Sequence, residues 1–328
     1  MRGSNIKKFA LLFAALGAFV IPASTQAQVW PNHPVRLVVP YPPGGNADIV
    51  CRIVAEAMQN RLQQPFVVVN KAGAGGVIGG SFVAAAEPDG YTFLFSANGP
   101  ILFAPELVQP RPYDWHKAFT PVSTVSLTPL VLLEHPSVPA KTLKEFLDYA
   151  RSQGRKLIFA SGGLGTTNHL FGELMQDRLK LNWTTVQYKG TAPAMNDLIG
   201  GHAQFGIDQV ATAVPFVKGG IVRALAVTGE KRSPLLPDVP TLVELGYPDL
   251  TGYTFTALMA PAGTPKDIVA KVYANLDAIM KDPEVTEKIQ KLGAEVGTMS
   301  PDLFAKFLER ESTTWIPIVR RLNVEANK

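Results

Sequence analysis

From Val35 onward, short β-branched apolar runs alternate with segments whose apolar residues recur every three or four positions. Val35–Val39 and residues 66–69 and 91–95 read as strands, with helices at 47–63 and 77–86 between them. After Pro129 the rhythm resumes. Strands are predicted at 130–133, 156–160, 185–188, 203–207 and 222–228. Helices are predicted at 143–152, 167–179, 193–199 and 211–218, the last stopped by Gly219-Gly220. In the 167–179 helix, Leu170, Phe171 and Leu174 share one side. Alternation of this kind implies parallel sheets flanked by helices. Residues 266–324 are mostly helical, in pieces split by Pro283, Gly293, Pro301 and Pro317. Too few strands follow residue 260 for a third sheet, so this segment is expected to return and pack on the first domain.

The N-terminus has a different logic. Arg2, Lys7 and Lys8 precede an apolar run at 9–21, and Thr25 and Ala27 supply small residues at a cleavage site. This reads as a secretory signal over residues 1–27, with a mature chain starting near Gln28. The alternatives are an anchor or a buried helix, but the run falls short of the ~20 residues that normally span a bilayer. No lipid-attachment cysteine lies near the cleavage point, because the single cysteine is Cys51. That count also excludes an internal disulfide and any Cys-cluster metal site. Cys51 reads as a small buried hydrophobe in a helix-like stretch. Without the signal the formal charge of +4 loses three cations, which leaves too weak a basic bias for a nucleic-acid binder.

Candidate chemistry gathers where strands meet helices. Four junctions are rich in Gly, Ser, Thr and Asn: 42–48, 72–76, 161–167 and 189–192. Each places backbone N–H groups at a helix start, where the macrodipole also favours negative charge. Glycine lets that backbone approach a ligand and hydroxyls add donors, so together they suit an anion such as a carboxylate. One such loop alone is an ordinary tight turn. Asp208 ends the 203–207 strand and either accepts from a ligand or caps the following helix. His169, one turn into its helix, reads as a structural histidine rather than a catalytic base.

Enzyme motifs fail. Ser161 sits in Phe159-Ala160-Ser161-Gly162-Gly163, which lacks the first glycine of the nucleophile elbow. No Gly-Lys-Ser/Thr occurs, and Ile78 occupies the third glycine position of a dinucleotide fingerprint. The five histidines show no metal-ligand spacing. No cofactor is expected.

As a set, these loops resemble a known family. Residues 40–48, Pro-Tyr-Pro-Pro-Gly-Gly-Asn-Ala-Asp, are similar to the opening motif of the tripartite tricarboxylate transporter solute receptors, also called the Bordetella uptake gene family. Gly73–Gly79 resembles their second glycine loop, and Ser161–Leu170 their Ser-Gly-Thr-His-Leu element. Residues 188–194, 198–201, 223–228 and 236–241 match further elements in order, across essentially the whole mature chain. The resemblance implies an α/β, two-lobed periplasmic-binding-protein fold, type II-like, with two crossover connections. Lobe one would hold residues 28–128 and lobe two residues 129–252, with 253–328 returning to lobe one.

It also implies a non-enzymatic periplasmic receptor handing a carboxylate to membrane transporter subunits; a monomer is expected. Family ligands include citrate-like, amino-acid-like and aromatic acids such as terephthalate. The implied contacts are Tyr41, Gly44, Gly45, Asn46, Ala47 and Asp48 in the first loop, and Ser96 and Asn98 after the 91–95 strand. Ser161, Gly163, Gly165, Thr166, Thr167 and His169 follow, then Lys189, Gly190, Thr191 and Asp208. Lys189 is the only nearby cation, so amides and hydroxyls, Thr166 among them, are expected to hold the carboxylate. Competing readings are a sensory receptor using the same cleft and a secreted hydrolase using Ser161 and His169.

Overall fold

The computed structural model describes residues 30–188 and 191–326. The expected signal segment, Lys189 and Gly190 lie outside the described residues. The chain opens with β1 (Val35–Val39), α1 (Asn46–Leu62), β2 (Phe66–Asn70), α2 (Val77–Ala84) and β3 (Thr92–Ala97). β2 and β3 flank β1 in parallel, with Val35 opposite Phe66 and Leu37 opposite Phe93. α1 buries Val50, Cys51, Val54, Ala55 and Met58, a helical stripe that packs on this sheet. It ends at Gln63, whose left-handed φ of 54° lets its N–H return to the Gln59 carbonyl.

A short α3 (Trp115–Ala118) leads into β4 (Phe119–Glu134), which spans 16 residues. At ~3.3 Å per residue β4 is about 50 Å long, enough to run through both halves of the molecule. α4 (Leu143–Gln153), β5 (Ile158–Ser161), α5 (Thr167–Leu179), β6 (Thr184–Gln187), α6 (Thr191–Ile199), β7 (Phe205–Gln209), α7 (Val210–Lys218) and β8 (Arg223–Val227) build the second half. β9 (Tyr253–Pro261) crosses back. α8 (Lys266–Ile279), α9 (Pro283–Gln290), β10 (Glu295–Val296) and α10 (Pro301–Ala326) complete the chain.

Four expectations change. The sheet is mixed, not parallel: β9 runs antiparallel to β3 and β4, and β4 runs antiparallel to β7 and β8. Hydrogen bonding also continues through β4, so the two halves share one connected set of strands in the order β2-β1-β3-β9-β4-β7-β5-β6. Residue 128 thus lies inside a strand, which reaches back through Pro129 to Phe119 instead of starting at Leu130. Register shifts beside Pro121 and at Thr124–Ser126 absorb the irregularity.

Pro317 does not split the last helix, since α10 is continuous across it. Its buried stripe of Phe304, Phe307, Leu308, Trp315, Ile318 and Val319 outweighs the ~3 kcal/mol cost of an interior proline. That stripe serves both halves. Phe304 and Phe307 pack on Phe255 of β9, while Trp315 meets Phe103 and, in α5, Phe171. All three C-terminal helices contact the first half as expected, α8 and α9 on α1 and α10 on residues 99–107, and α10 reaches α5 as well.

Candidate functional site

The first loop is built around Asp48. Gly44, at φ 87°, turns its N–H onto Asp48 Oδ2 at 2.9 Å. Arg52 donates to both carboxylate oxygens at 3.0 Å, and Asn70 Nδ2 donates to Oδ1 at 2.8 Å. Asn70 Nδ2 also reaches the Tyr41 carbonyl at 3.1 Å. Burial pushes the Asp48 carboxyl up, but these four donated bonds win and hold it at about 2. Both Asp48 carboxylate oxygens therefore accept from the chain's own donors and shape the loop. Gly45 caps α1 without a side-chain bond, at an ordinary φ of −76°. The first-turn N–H groups at Asn46 and Ala47 thus have no capping side chain to satisfy them.

The segment after β3 meets the second loop directly. Asn98 is fully buried; its Nδ2 donates to the Tyr253 carbonyl at 3.1 Å. Its Oδ1 accepts from the Thr167 hydroxyl at 3.0 Å, joining residues 69 positions apart. Tyr41 belongs here as well. Burial raises its phenol above the ordinary value against the Ser96 hydroxyl and the Ala97 backbone. A Cβ on Gly99 would lie 3.6 Å from the Tyr41 hydroxyl and 4.0 Å from the Gly165 carbonyl. Tyr41, Ser96, Asn98, Gly165 and Thr167 thus converge.

The second loop folds on itself. Gly163 and Gly165 take φ of 124° and 73°, which favour glycine. The Thr166 hydroxyl caps α5, accepting from the His169 N–H at 3.3 Å and donating to the Gly163 carbonyl at 2.8 Å. Its hydrogen and its accepting lone pair are thus both engaged within the loop and the first turn of α5. His169 is buried, and its Nδ1 accepts from the Gly165 N–H at 3.3 Å. Burial lowers its pKa to about 4, so the ring is neutral and braces the loop. Ser161 donates to Gln187 at 2.9 Å, and no hydrogen bond joins it to His169 among the described residues.

Asp208 sits at the end of β7, one residue before the α7 cap, Gln209. Burial raises its pKa against bonds from the Gln209 N–H, Thr212 and Asn168. With Gly162 and Thr191 it lines a cavity of about 10 Å³, the space of about one water. A Cβ on Gly162 would stand 2.8 Å from Thr191 Cγ2, so a larger residue there would displace the Thr191 methyl group. Consecutive residues of α5 link the two clusters: Thr167 binds Asn98, and Asn168 Nδ2 reaches Asp208 at 3.3 Å and the Ile207 carbonyl at 2.9 Å. Asn168, Asn70 and Tyr253 were not singled out by pattern. Their roles depend on partners distant in sequence. The loop at residues 72–76 serves packing instead, since a Cβ on Gly76 would fall 2.3 Å from Pro100.

Among the described residues no helix is long and apolar enough to cross a membrane, and no group of three or more His, Cys, Asp or Glu is placed to hold a metal ion. The sequence model described as "Tripartite tricarboxylate transporter family receptor" matches residues 50–324. Protein BugT of Bordetella pertussis is 34% identical over 94% of this chain and 96% of its own. Among solved structures, the periplasmic binding protein BugD is 35% identical at a TM-score of 0.74, over 89% of this chain and 98% of its own. Rpa4515 of R. palustris, solved with adipate, is 33% identical at 0.79, over 89% and 97%. MatC of Rhodopseudomonas palustris, solved with malate, is 33% identical at 0.76, over 88% and 99%. The chain belongs to the receptor family of the tripartite tricarboxylate transporters, the periplasmic solute-binding proteins whose glycine-rich loops it carries.

Proposed function

We infer that this protein captures a small organic acid, most simply a dicarboxylate, between its two halves and presents it to membrane subunits of a tripartite transporter. The observation that carries the reading is the meeting of the two loops at the first turn of α5, where Thr167 binds Asn98 across the molecule. The uncapped start of α1 and the glycines at 163 and 165 supply backbone N–H groups for a carboxylate. Adipate and malate, the acids bound by two relatives, support the ligand class. In this reading residues 28–128 and 129–252 act as lobes, β4 and β9 flex as the hinge, and the export signal is removed near Ala27. The protein works as a monomer without a cofactor and turns nothing over.

A thermal-shift panel of adipate, malate, succinate, citrate and terephthalate tests it. An acid at 100-fold its Kd stabilises the folded protein by about 2.7 kcal/mol. If none of these acids raises the unfolding midpoint, the receptor reading fails.

A further inference from the structure

The two crossing strands carry a ladder of hydroxyls. Ser126 and Thr128 lie two residues apart on β4, and the antiparallel register sets them opposite Thr256 and Thr254 of β9. Side chains alternate between faces with period two, so all four share one face of the sheet. All four are buried, Thr128 completely and Thr254 to 8% exposure. The first pair closes on itself, with Ser126 Oγ and Thr256 Oγ1 at 2.6 Å. The second does not. Among the described residues, neither Thr128 Oγ1 nor Thr254 Oγ1 has a hydrogen-bond partner. Buried polar atoms in this condition are rare, because each has given up its bonds to water without replacement.

Their position connects them to the site. Thr254 follows Tyr253, whose carbonyl holds Asn98, and Asn98 in turn holds Thr167. Thr128 precedes Pro129, the last residue of β4 to pair with β9 before the strand passes to β7 and β8. Just beyond, the Thr228 hydroxyl accepts from the Leu130 N–H at 2.8 Å and donates to the Gly252 carbonyl at 2.5 Å, tying both crossing segments together. The orphaned pair therefore sits where the two halves join, one residue from the carbonyl that anchors the loop contact.

We propose that Thr128 and Thr254 form the floor of the ligand site and donate to the distal carboxylate of a two-ended acid. The inference rests on the receptor reading above and adds the residues that set its preference. Two adjacent hydroxyls match a carboxylate's acceptors, and as neutral groups they avoid burying a cation. A monocarboxylate of the same length puts a methyl group there and leaves both hydroxyls unpaired. Sites built to hydrogen-bond a group discriminate strongly against analogues that lack it.

Calorimetry on the full chain tests this with succinate against butyrate and adipate against hexanoate. Wild type should bind at least one diacid about a hundredfold more tightly than its monoacid. Thr128→Val and Thr254→Val should each weaken that diacid about tenfold, the equivalent of one lost hydrogen bond, and spare the monoacid. Thr128→Ser and Thr254→Ser should restore it, and the ligand-free unfolding midpoint of the valine variants should hold or rise. Valine variants that bind the diacid like wild type overturn the inference, as does equal loss of diacid and monoacid with a lowered midpoint. A wild type that binds monoacids as tightly as diacids also overturns it, and leaves the receptor reading standing. If the wider acid panel gives no binding at all, both fall.

Discussion

Replacing Thr166 by valine separates two roles for one hydroxyl. The backbone there is extended, at φ −73° and ψ 156°, so a β-branched residue fits without strain and only the oxygen is lost. That oxygen caps α5 by accepting from the His169 N–H and donates to the Gly163 carbonyl. The Gly163 carbonyl keeps a second bond, from the Thr166 N–H at 3.2 Å. The loss is therefore mainly the cap, about 1 kcal/mol with a range of roughly 0.5–2. For a protein of this size that lowers the unfolding midpoint by about 2–4 °C. Ligand affinity, measured by calorimetry with whichever acid stabilises the protein, should change by less than about threefold, a loss of under ~0.7 kcal/mol. A direct contact with the carboxylate would instead cost about 1–3 kcal/mol, or roughly 5- to 150-fold in Kd. Thr166→Ser should restore the midpoint. An unchanged midpoint with a tenfold loss of affinity would refute the capping argument and return Thr166 to the ligand.

Three further outcomes follow from the same geometry. Gly44→Ala forces a side chain to φ 87° and should cost about 1–2 kcal/mol in chemical denaturation. Gly45→Ala, at an ordinary φ with nothing nearer than the Pro42 carbonyl at 4.0 Å, should cost less, up to about 1 kcal/mol, because alanine is a poorer N-cap than glycine. His169, lowered by burial to about 4, stays neutral in the fold while the unfolded chain takes up a proton near its ordinary value of ~6.5. Its contribution is intact above pH 7 and declines as pH falls from about 6.5 to 4, by up to about 3 kcal/mol. His169→Gln should flatten that part of the stability–pH curve; an unchanged slope would place the titrating group elsewhere.

The elements of both halves were legible because their signals are local. The period-two and period-3.6 patterns placed β1, α1, β3 and α5 to within a residue or two, and α5 matched at both ends. Prolines misled twice. A proline signals the loss of one N–H, but the chain continues where register shifts or a buried stripe compensate, as in β4 at Pro129 and in α10 at Pro317. Glycine positions identified the loops, and the motif order identified the family.

The direction of each polar side chain was not legible. By itself the sequence determined an α/β chain with glycine-rich strand-to-helix junctions suited to an anion. It also determined a motif order shared with the transporter receptors. Only the tertiary structure decided that Asp48 turns inward to Arg52 and Asn70, that Thr166 caps its own helix, and that Thr167 reaches Asn98. It also decided that β4 and β9 run through both halves and place Thr128 opposite Thr254. The reason is physical: backbone conformation and periodicity are written in neighbouring residues, whereas a hydrogen-bond partner 69 or 130 positions away exists only once the core has packed and set the distance between them.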